Sequence, residues 1–283
     1  MNDMNLGTSA VTAPPERSVS STEHALWASL RREIAAAAVR EEALRCSLEI
    51  AVLRHDGFAS ALAALLGRKL ADDVMSADRL ESLARATMDD EPAIVAAALA
   101  DLVAIRTRDP AAEGYAEPFL YYKGFHALEW HRIGHALYRG GRRDIAAFLQ
   151  SRVSEVFAID IHPAVPVGTG VFIDHGTGIV VGETAVIGND VSILQEVTLG
   201  GTGKERGDRH PKVRDGVLLS AGAKVLGNIE IGRNAKVGAG SVVLIDVPPC
   251  ATVAGVPAKI VGWCRETTPG LAMDQSLPNS DDD

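Results

Sequence analysis

The sequence predicts an α+β protein in which an N-terminal α-helical bundle precedes a parallel β-helix of hexapeptide repeats. Before Ala158 the chain is rich in alanine and leucine with helical spacing. After Asp160, glycine, valine and isoleucine dominate, and apolar residues recur every six positions. A repeat of this kind predicts a solenoid, because each unit buries its apolar face only against its neighbours.

The helical half is predicted from apolar spacing. One helical face is formed by positions i, i+3, i+7 and i+11 of the first stretch, which are Trp27, Leu30, Ile34 and Ala38. The same spacing predicts helices over 58–70, 77–88, 92–105 and 118–156. The last stretch is too long for one helix, and Gly140-Gly141 breaks it. A loop, Thr107-Arg108-Asp109-Pro110, is expected before it.

Aliphatic residues carry the period of six in two runs, Val181, Ile187, Ile193 and Leu199, then Leu219, Val225, Ile231, Val237 and Val243. Three hexapeptides are expected to close one triangular coil, with each aliphatic side chain pointing inward. Several glycines are expected to take backbone conformations that are costly for other residues. Examples are Gly182, Gly188, Gly232 and Gly238.

The register breaks twice. Two extra residues lie near Asp174-His175. Twenty residues separate Leu199 from Leu219, which we interpret as three hexapeptides plus two. The polar stretch 200–218 is therefore expected to leave the solenoid as an exposed loop. Loops held by a rigid scaffold are frequent sites of function.

Several motifs resemble the hexapeptide-repeat acyltransferases, and more narrowly the bacterial serine acetyltransferase family. They are Arg106-Thr-Arg-Asp-Pro110, Tyr122-Lys-Gly-Phe-His-Ala-Leu128, Asp160-Ile-His-Pro163, Asp174-His-Gly-Thr-Gly178, Val181-Gly-Glu-Thr-Ala-Val186, Leu199-Gly-Gly-Thr-Gly-Lys204, Gly207-Asp-Arg-His-Pro-Lys212 and Ala254-Gly-Val-Pro-Ala258. The resemblance implies that the solenoid is a left-handed parallel β-helix.

The resemblance also implies a reaction, in which acetyl-CoA, as co-substrate, donates its acetyl group to the hydroxyl of L-serine. This is the first committed step of cysteine biosynthesis. A serine hydroxyl needs a base to take its proton as it attacks the thioester. The resemblance assigns that role to His175, with Asp160 as the carboxylate that orients it. No acyl-enzyme, metal or prosthetic group is expected.

Serine is a zwitterion, so its site needs charges of both signs. The resemblance places the ammonium near Asp109 and Asp174, and the carboxylate near Arg209 and His210. Backbone N–H groups near Gly200-Gly201 are expected to stabilise the oxyanion. The positions that match coenzyme A contacts are Gly201, Thr202, Ala221, Lys236 and Ala239.

The resemblance further implies trimers through the solenoid, paired through the helical halves into hexamers. It implies inhibition by L-cysteine at the serine site. Many family members end in isoleucine, which inserts into O-acetylserine sulfhydrylase. This chain ends Ser280-Asp-Asp-Asp283, and burying an acidic end in an apolar pocket is costly. We therefore expect that complex to be weak or absent, or to use other contacts.

Composition sets the remaining expectations. The net charge of −9 argues against nucleic acid as a partner. The three cysteines match no zinc or redox motif, no apolar run could span a bilayer, and no signal peptide is evident, so we expect a cytoplasmic protein. The expected organisation is a disordered tail 1–22, a helical domain 23–158, a β-helix domain 159–262 with its protruding loop, and a flexible tail 263–283.

Three alternatives stay open. The first is an acyltransferase acting on another hydroxyl acceptor, against which the helical half and the Gly-Asp-Arg-His-Pro-Lys loop argue. The second is a γ-type carbonic anhydrase with a three-histidine zinc site, but His162, His175 and His210 are spaced 13 and 35 apart, a poor match. The third is a binding or scaffolding protein.

Some local patterns favour structural roles. His162 is expected to be structural. His131 and His135 lie at i and i+4 of a helix but lack the glutamate of His-Glu-x-x-His, so packing or surface roles are favoured. Gly201-Thr-Gly-Lys204 lacks the phosphate-loop pattern, because Glu205 follows the lysine.

Overall fold

The computed structural model describes residues 17–203, 206–264 and 268–277, with side chains from residue 23 onward. Residues 17–22 are helical and 268–277 lie against the β-helix, so neither expected tail is wholly without structure. The acidic C-terminal segment, residues 280–283, lies outside the described part, and so does the expectation that rests on it. No helix among the described residues is long and apolar enough to cross a membrane.

The helical half has eight α-helices in the described part of the chain: α1 (Arg17–Arg40), α2 (Glu42–Leu48), α3 (Phe58–Leu70), α4 (Ala77–Asp90), α5 (Ala93–Arg108), α6 (Ala116–Tyr121), α7 (Lys123–Arg139) and α8 (Arg143–Phe157). A π-helical turn, Glu49–Leu53, joins α2 to α3. The predicted face of α1 is buried, and α7 ends at the predicted Gly140-Gly141 break. The loop expected from Thr107 begins later, because Thr107 and the buried Arg108 complete α5.

The second half consists of short strands: β1 (Ile159–Ile161), β2 (Phe172–Ile173), β3 (Ile179–Val181), β4 (Val186–Ile187), β5 (Ser192–Ile193), β6 (Thr198–Gly200), β7 (Lys212–Val213), β8 (Leu218–Leu219), β9 (Lys224–Leu226), β10 (Glu230–Ile231), β11 (Lys236–Val237), β12 (Val242–Val243), β13 (Ala251–Gly255) and β14 (Ala258–Trp263). A short helix, α9 (Pro269–Ala272), follows. All pairings are parallel except the closing β13–β14 hairpin.

The strands form three sheets that the chain visits in turn. Sheet A contains β1, β3, β6, β9 and β12; sheet B contains β4, β7 and β10; sheet C contains β2, β5, β8, β11, β13 and β14. We name the turns between them corner AB, corner BC and corner CA. The nine aliphatic residues of the predicted period are each at most 3% exposed, so the hexapeptide register is confirmed.

Strand pairing locates the register breaks. Ile173 pairs with Ile193 and Val181 with Leu199, so two extra residues lie at corner CA, as predicted. The second prediction is wrong in part, because Val213 pairs with Ile187 in sheet B. The interval from Leu199 to Leu219 is therefore two ordinary steps plus eight extra residues, all at corner AB. Residues 212–218 return to the coil because Val213 and Val217 fill inward positions.

The expectation that four glycines take unusual backbone conformations is also wrong. Gly182, Gly188, Gly232 and Gly238 have no positive φ. They allow close approach instead. A Cβ on Gly188 would lie 2.5 Å from Asp215 Oδ1, and one on Gly182 would lie 2.1 Å from His210 Nε2.

A buried ionic cluster docks the helical half on the first coil. Arg132 on α7 donates to Asp101 on α5 and to the carbonyls of Val167 and Gly168, while the Val171 N–H donates to Asp101 at 2.7 Å. Burial raises the pKa of both Asp101 and Glu129. We place the proton on Glu129, since three N–H donors stabilise the Asp101 carboxylate.

Two histidines of α7 tie that helix to the same coil. His131 Nε2 lies 2.9 Å from the Val165 carbonyl, and His135 Nδ1 lies 2.8 Å from the Pro163 carbonyl. Each nitrogen therefore carries a proton and donates it. Both residues have the packing role favoured from the sequence.

We expect Arg132→Met to lower the free energy of unfolding by about 3–5 kcal/mol, because it leaves the buried Asp101 carboxylate without its partner. Urea denaturation followed by circular dichroism measures this. Arg139→Met is the matched control. Its ion pair with Glu91 is about half exposed, so its loss should cost no more than about 1 kcal/mol. Equal losses in the two variants would contradict the docking role.

Candidate active site

The first cluster of predicted site residues lies at corner CA. Asp109, the C-cap of α5, accepts hydrogen bonds from the Ala111 N–H at 2.8 Å and the Tyr122 hydroxyl at 2.9 Å. Asp174 directly follows β2, and its pKa is raised by burial and by the Asp109 charge. His175 is next, with Nε2 3.9 Å from Asp174 Oδ1. The structure thus brings two carboxylates and an imidazole together.

Burial and the hydrogen bond to Asp109 raise the pKa of Tyr122 above its usual range. The phenol therefore stays protonated and fixes one oxygen of Asp109. His175 itself has a left-handed backbone, with φ of 57°, and its side chain is 75% exposed. A reactive partner can therefore reach the ring from solvent.

Asp160 borders the same corner without touching His175. It lies on β1, and Gly178 closes the corner by donating to the Ala158 carbonyl at 2.7 Å. Its carboxylate accepts from Gln150 Nε2 at 2.7 Å. No hydrogen bond joins the two side chains of the predicted pair in this structure.

The second cluster lies at corner AB. The backbone N–H groups of Arg209 and His210 both donate to Thr184 Oγ1, at 3.0 and 3.1 Å. The Arg209 guanidinium donates to Glu183 at 2.9 Å, which lowers the pKa of that carboxyl. Lys212 closes the loop by donating to the carbonyls of Thr184 and His210. This geometry fixes both predicted carboxylate-binding residues.

His210 has a defined protonation state. Its Nδ1 accepts the Thr184 N–H at 3.1 Å, so in the neutral ring the proton is on Nε2. Burial and the neighbouring Arg209 lower its pKa, which favours the neutral form. The Nε2 atom packs against Gly182, in the space that a larger side chain would fill.

The two clusters occupy different corners of one chain. Asp109, Asp174 and His175 meet at corner CA, whereas Arg209 and His210 lie at corner AB, with sheet A between the corners. The residues predicted to bind the two charged groups of serine are therefore not brought together within a single chain.

Four of the five predicted coenzyme A positions divide in the same way. Ala221 and Ala239 lie at corner CA, in turns stacked below that of His175 and linked by Gly222 N–H to Gln195 O and Gly240 N–H to Ala221 O. From His175 to Ala239 is three coil spacings, about 14 Å. Gly201 and Thr202 lie at corner AB, where a Cβ on Gly201 would be 3.4 Å from the Arg209 carbonyl.

Lys236 lies on the outer face of sheet C rather than at either corner. Its ammonium donates to the Ser276 carbonyl and lies 3.9 Å from Asp274. Leu277 packs beside Gly238, two residues after Lys236 in the chain. In this structure the segment 268–277 therefore covers the amine predicted to contact coenzyme A.

Several site residues were missed from the sequence. Tyr122, Gln150, Glu183 and Thr184 hold Asp109, Asp160, Arg209 and His210 respectively. Tyr122, Glu183 and Thr184 lie inside motifs that were recognised, so their positions were a usable signal. Gln150 lies in an unremarkable stretch of α8, and nothing in its sequence context indicates a contact with Asp160.

The histidine arrangement bears on the zinc alternative. His162 and His210 lie at corner AB and His175 at corner CA, so the three do not converge within the chain. His162 Nδ1 accepts the Ala164 N–H at 3.1 Å, and its ring lies edge-on to Tyr138. Among the described residues, no group of histidine, cysteine and acidic side chains is arranged to hold a metal ion.

Two family models match the chain. Residues 26–130 match the N-terminal region of serine acetyltransferase, and residues 210–244 match the bacterial transferase hexapeptide of six repeats. The serine acetyltransferase of Salmonella typhimurium strain LT2 is 53% identical over 250 residues, which are 88% of this chain and 92% of that protein.

Solved serine acetyltransferase structures also match this chain. Neisseria gonorrhoeae serine acetyltransferase in complex with serine has a TM-score of 0.81 at 53% identity, covering 83% of this chain and 96% of that one. The Brucella abortus serine acetyltransferase in complex with coenzyme A has a TM-score of 0.84 at 47% identity, covering 86% of this chain and 97% of that one. A serine acetyltransferase in complex with cysteine has a TM-score of 0.88 at 48% identity, covering 90% of this chain and all of that one (100%).

These matches cover both halves and confirm the predicted fold class, a helical domain followed by a left-handed parallel β-helix of hexapeptide repeats. With half of its residues identical to those of relatives matched over nearly their full length, this chain belongs to the serine acetyltransferase family.

Proposed function

We propose that this chain transfers the acetyl group of acetyl-CoA to the hydroxyl of L-serine, giving O-acetyl-L-serine and coenzyme A. The observation that carries the proposal is the exposed His175 imidazole 3.9 Å from the Asp174 carboxylate, whose pKa is raised by burial and by the charge of the neighbouring Asp109. This arrangement offers a base for a hydroxyl and an anionic site for an ammonium group.

In the proposed mechanism, His175 removes the proton of the serine hydroxyl as the oxygen attacks the thioester carbonyl. The tetrahedral intermediate collapses when the carbon–sulfur bond breaks. The imidazolium then returns its proton to the departing thiolate. Transfer is direct, so both substrates are bound together, and Asp160 stabilises the imidazolium from the same corner.

Serine would be oriented by its two charged groups. Asp109 and Asp174 receive the ammonium. Arg209 keeps N–H donors beyond those used on Glu183 and Gly207, and with the neutral His210 it receives the carboxylate. Because these residues lie at different corners, one copy supplies the ammonium end and a neighbouring copy supplies the carboxylate end.

This division supports a closed trimer in which corner CA of each copy meets corner AB of the next. Pairing of two trimers through the helical halves would give a hexamer. We place the enzyme in the cytoplasm, a proposal supported by three free thiols, at Cys46, Cys250 and Cys264.

Replacing His175 with alanine should reduce serine-dependent release of coenzyme A by about 10²–10⁴-fold, the usual contribution of a general base. A thiol-release assay with acetyl-CoA and L-serine measures the rate. His55→Ala is the control, because His55 lies between α2 and α3, away from both corners. Wild-type protein that acetylates other hydroxyl compounds but not serine would overturn the substrate assignment.

A mixture of His175→Ala and Arg209→Ala chains should recover activity when the two are unfolded and reassembled together. With random assortment, about one quarter of the sites in a closed trimer receive both native residues, because each residue comes from a different copy. Serine is held below the KM of the arginine variant. A rate equal only to the sum of the separate variants would show that each site is built within one chain.

We also propose that L-cysteine inhibits by occupying the serine site, because it differs from serine only by sulfur in place of oxygen. Inhibition should be competitive with serine. Arg209→Lys should weaken cysteine inhibition and serine binding by similar factors, about tenfold, since lysine lacks the planar fork. Cysteine inhibition that is unchanged in this variant, alongside weakened serine binding, would place cysteine elsewhere.

A further inference from the structure

The turn that carries His175 has little to hold the imidazole in place. The ring is mostly exposed, and its nearest charged partner is Asp174, 3.9 Å away. The position of the ring therefore depends on the backbone of residues 174–178. That backbone is unusual, because His175, Gly176 and Gly178 all have positive φ, between 57° and 79°. A non-glycine residue in this region persists only where its surroundings impose it.

The N-terminus of α7 lies against this turn. A Cβ on Gly124 would be 2.1 Å from the Ile173 carbonyl, so the helix begins in direct contact with the end of β2. The preceding residue, Lys123, donates from its ammonium to Thr177 Oγ1. Within the described residues, Lys123 is the one side chain of the helical half that hydrogen-bonds to the turn.

Tyr122, the residue before Lys123, holds another part of the site. Tyr122 donates its hydroxyl to Asp109 Oδ2 at 2.9 Å. Two consecutive residues at the start of α7 therefore hold two separate parts of the site: one holds the carboxylate at the end of α5, and the other holds the turn of the base. The distance between those parts fixes where the serine ammonium lies relative to the imidazole.

We propose that Tyr122 and Lys123 are positioning residues that hold the ammonium-binding carboxylate and the turn of His175 at a fixed separation. The proposal rests on the proposed function, since the base and the ammonium site are assigned there. Lys123 acts on the chemical step through Thr177, and Tyr122 acts on serine binding through Asp109. A misplacement of about 1 Å can cost as much as 10²-fold in rate.

The test compares Lys123→Met, Thr177→Val and the double variant in the full chain. Methionine keeps the length of lysine without its N–H donors, and valine keeps the shape of threonine without its hydroxyl. Each single variant should lower kcat about tenfold with little change in the KM for serine. The double variant should be no worse than either single one, because both remove the same contact. Lys123→Arg should retain most of the activity.

Tyr122→Phe is the complementary variant, and it should raise the KM for serine with a smaller effect on kcat. The exposed Lys123–Thr177 contact adds little to global stability, so the thermal midpoint of Lys123→Met should stay near that of the wild type. A fall in kcat that follows a fall in that midpoint would indicate a purely structural role and overturn the proposal.

Two other outcomes would overturn it. Additive losses in the double variant would show that lysine does not act through threonine. A shift of the acidic limb of the kcat profile to higher pH in Lys123→Met would show that lysine acts through its charge, because removing a nearby cation raises the pKa of a histidine. Wild-type protein without serine acetylation would instead refute the proposed function, so the two failures are distinguishable.

Discussion

A coil of the β-helix can bury its aliphatic side chains only against the coils above and below it. This constraint fixes the inward register, since a shift by one residue would turn the apolar row outward. Residues inserted into the repeat can therefore leave the coil only at a corner. The two insertions do so, with two residues at corner CA and eight at corner AB. Those insertions carry His175 and the Arg209-His210 pair, so the packing rule of the core also determines where chemistry can be placed.

The helical half contributes by docking on the first coil. The Asp101–Arg132 pair binds both the N–H of Val171 and the carbonyls of residues 167 and 168. The neighbouring Arg108 reaches Asp190 and Ser192 on the next coil. These contacts fix the end of α5 against the first two coils, and Asp109 follows directly. A carboxylate from one half is thereby set beside an imidazole from the other, although 65 residues separate them in the chain.

Periodicity allowed most of the fold to be predicted. The helices α1, α3, α4 and α5, the break at Gly140-Gly141 and the inward aliphatic row all follow from local spacing, whereas α2 and the division between α6 and α7 were not predicted. The return of the chain at Lys212 was missed because Val213 and Val217 lie inside a polar segment. Only the pairing of Val213 with Ile187 and the burial of Val217 reveal their inward positions. The site residues were named from motifs. The division of these residues between two corners could not be predicted from motifs, because it depends on which sheets each turn joins. The roles of Tyr122 and Gln150 likewise depend on how successive elements pack, although each contact joins residues only 13 or 10 positions apart.

The stacked turns at corner CA have a consequence for the choice of acetyl donor. In the proposed arrangement the His175 and Ala239 turns are about 14 Å apart, and this separation is set by backbone hydrogen bonds between coils. The fixed separation of the turns therefore determines how long a donor must be to contact both of them. A donor with a long carrier arm can touch the lower turns while its thioester reaches the imidazole, whereas a short acetyl ester reaches only one end. Discrimination by length needs no pocket, and the number of coils sets the length that is selected.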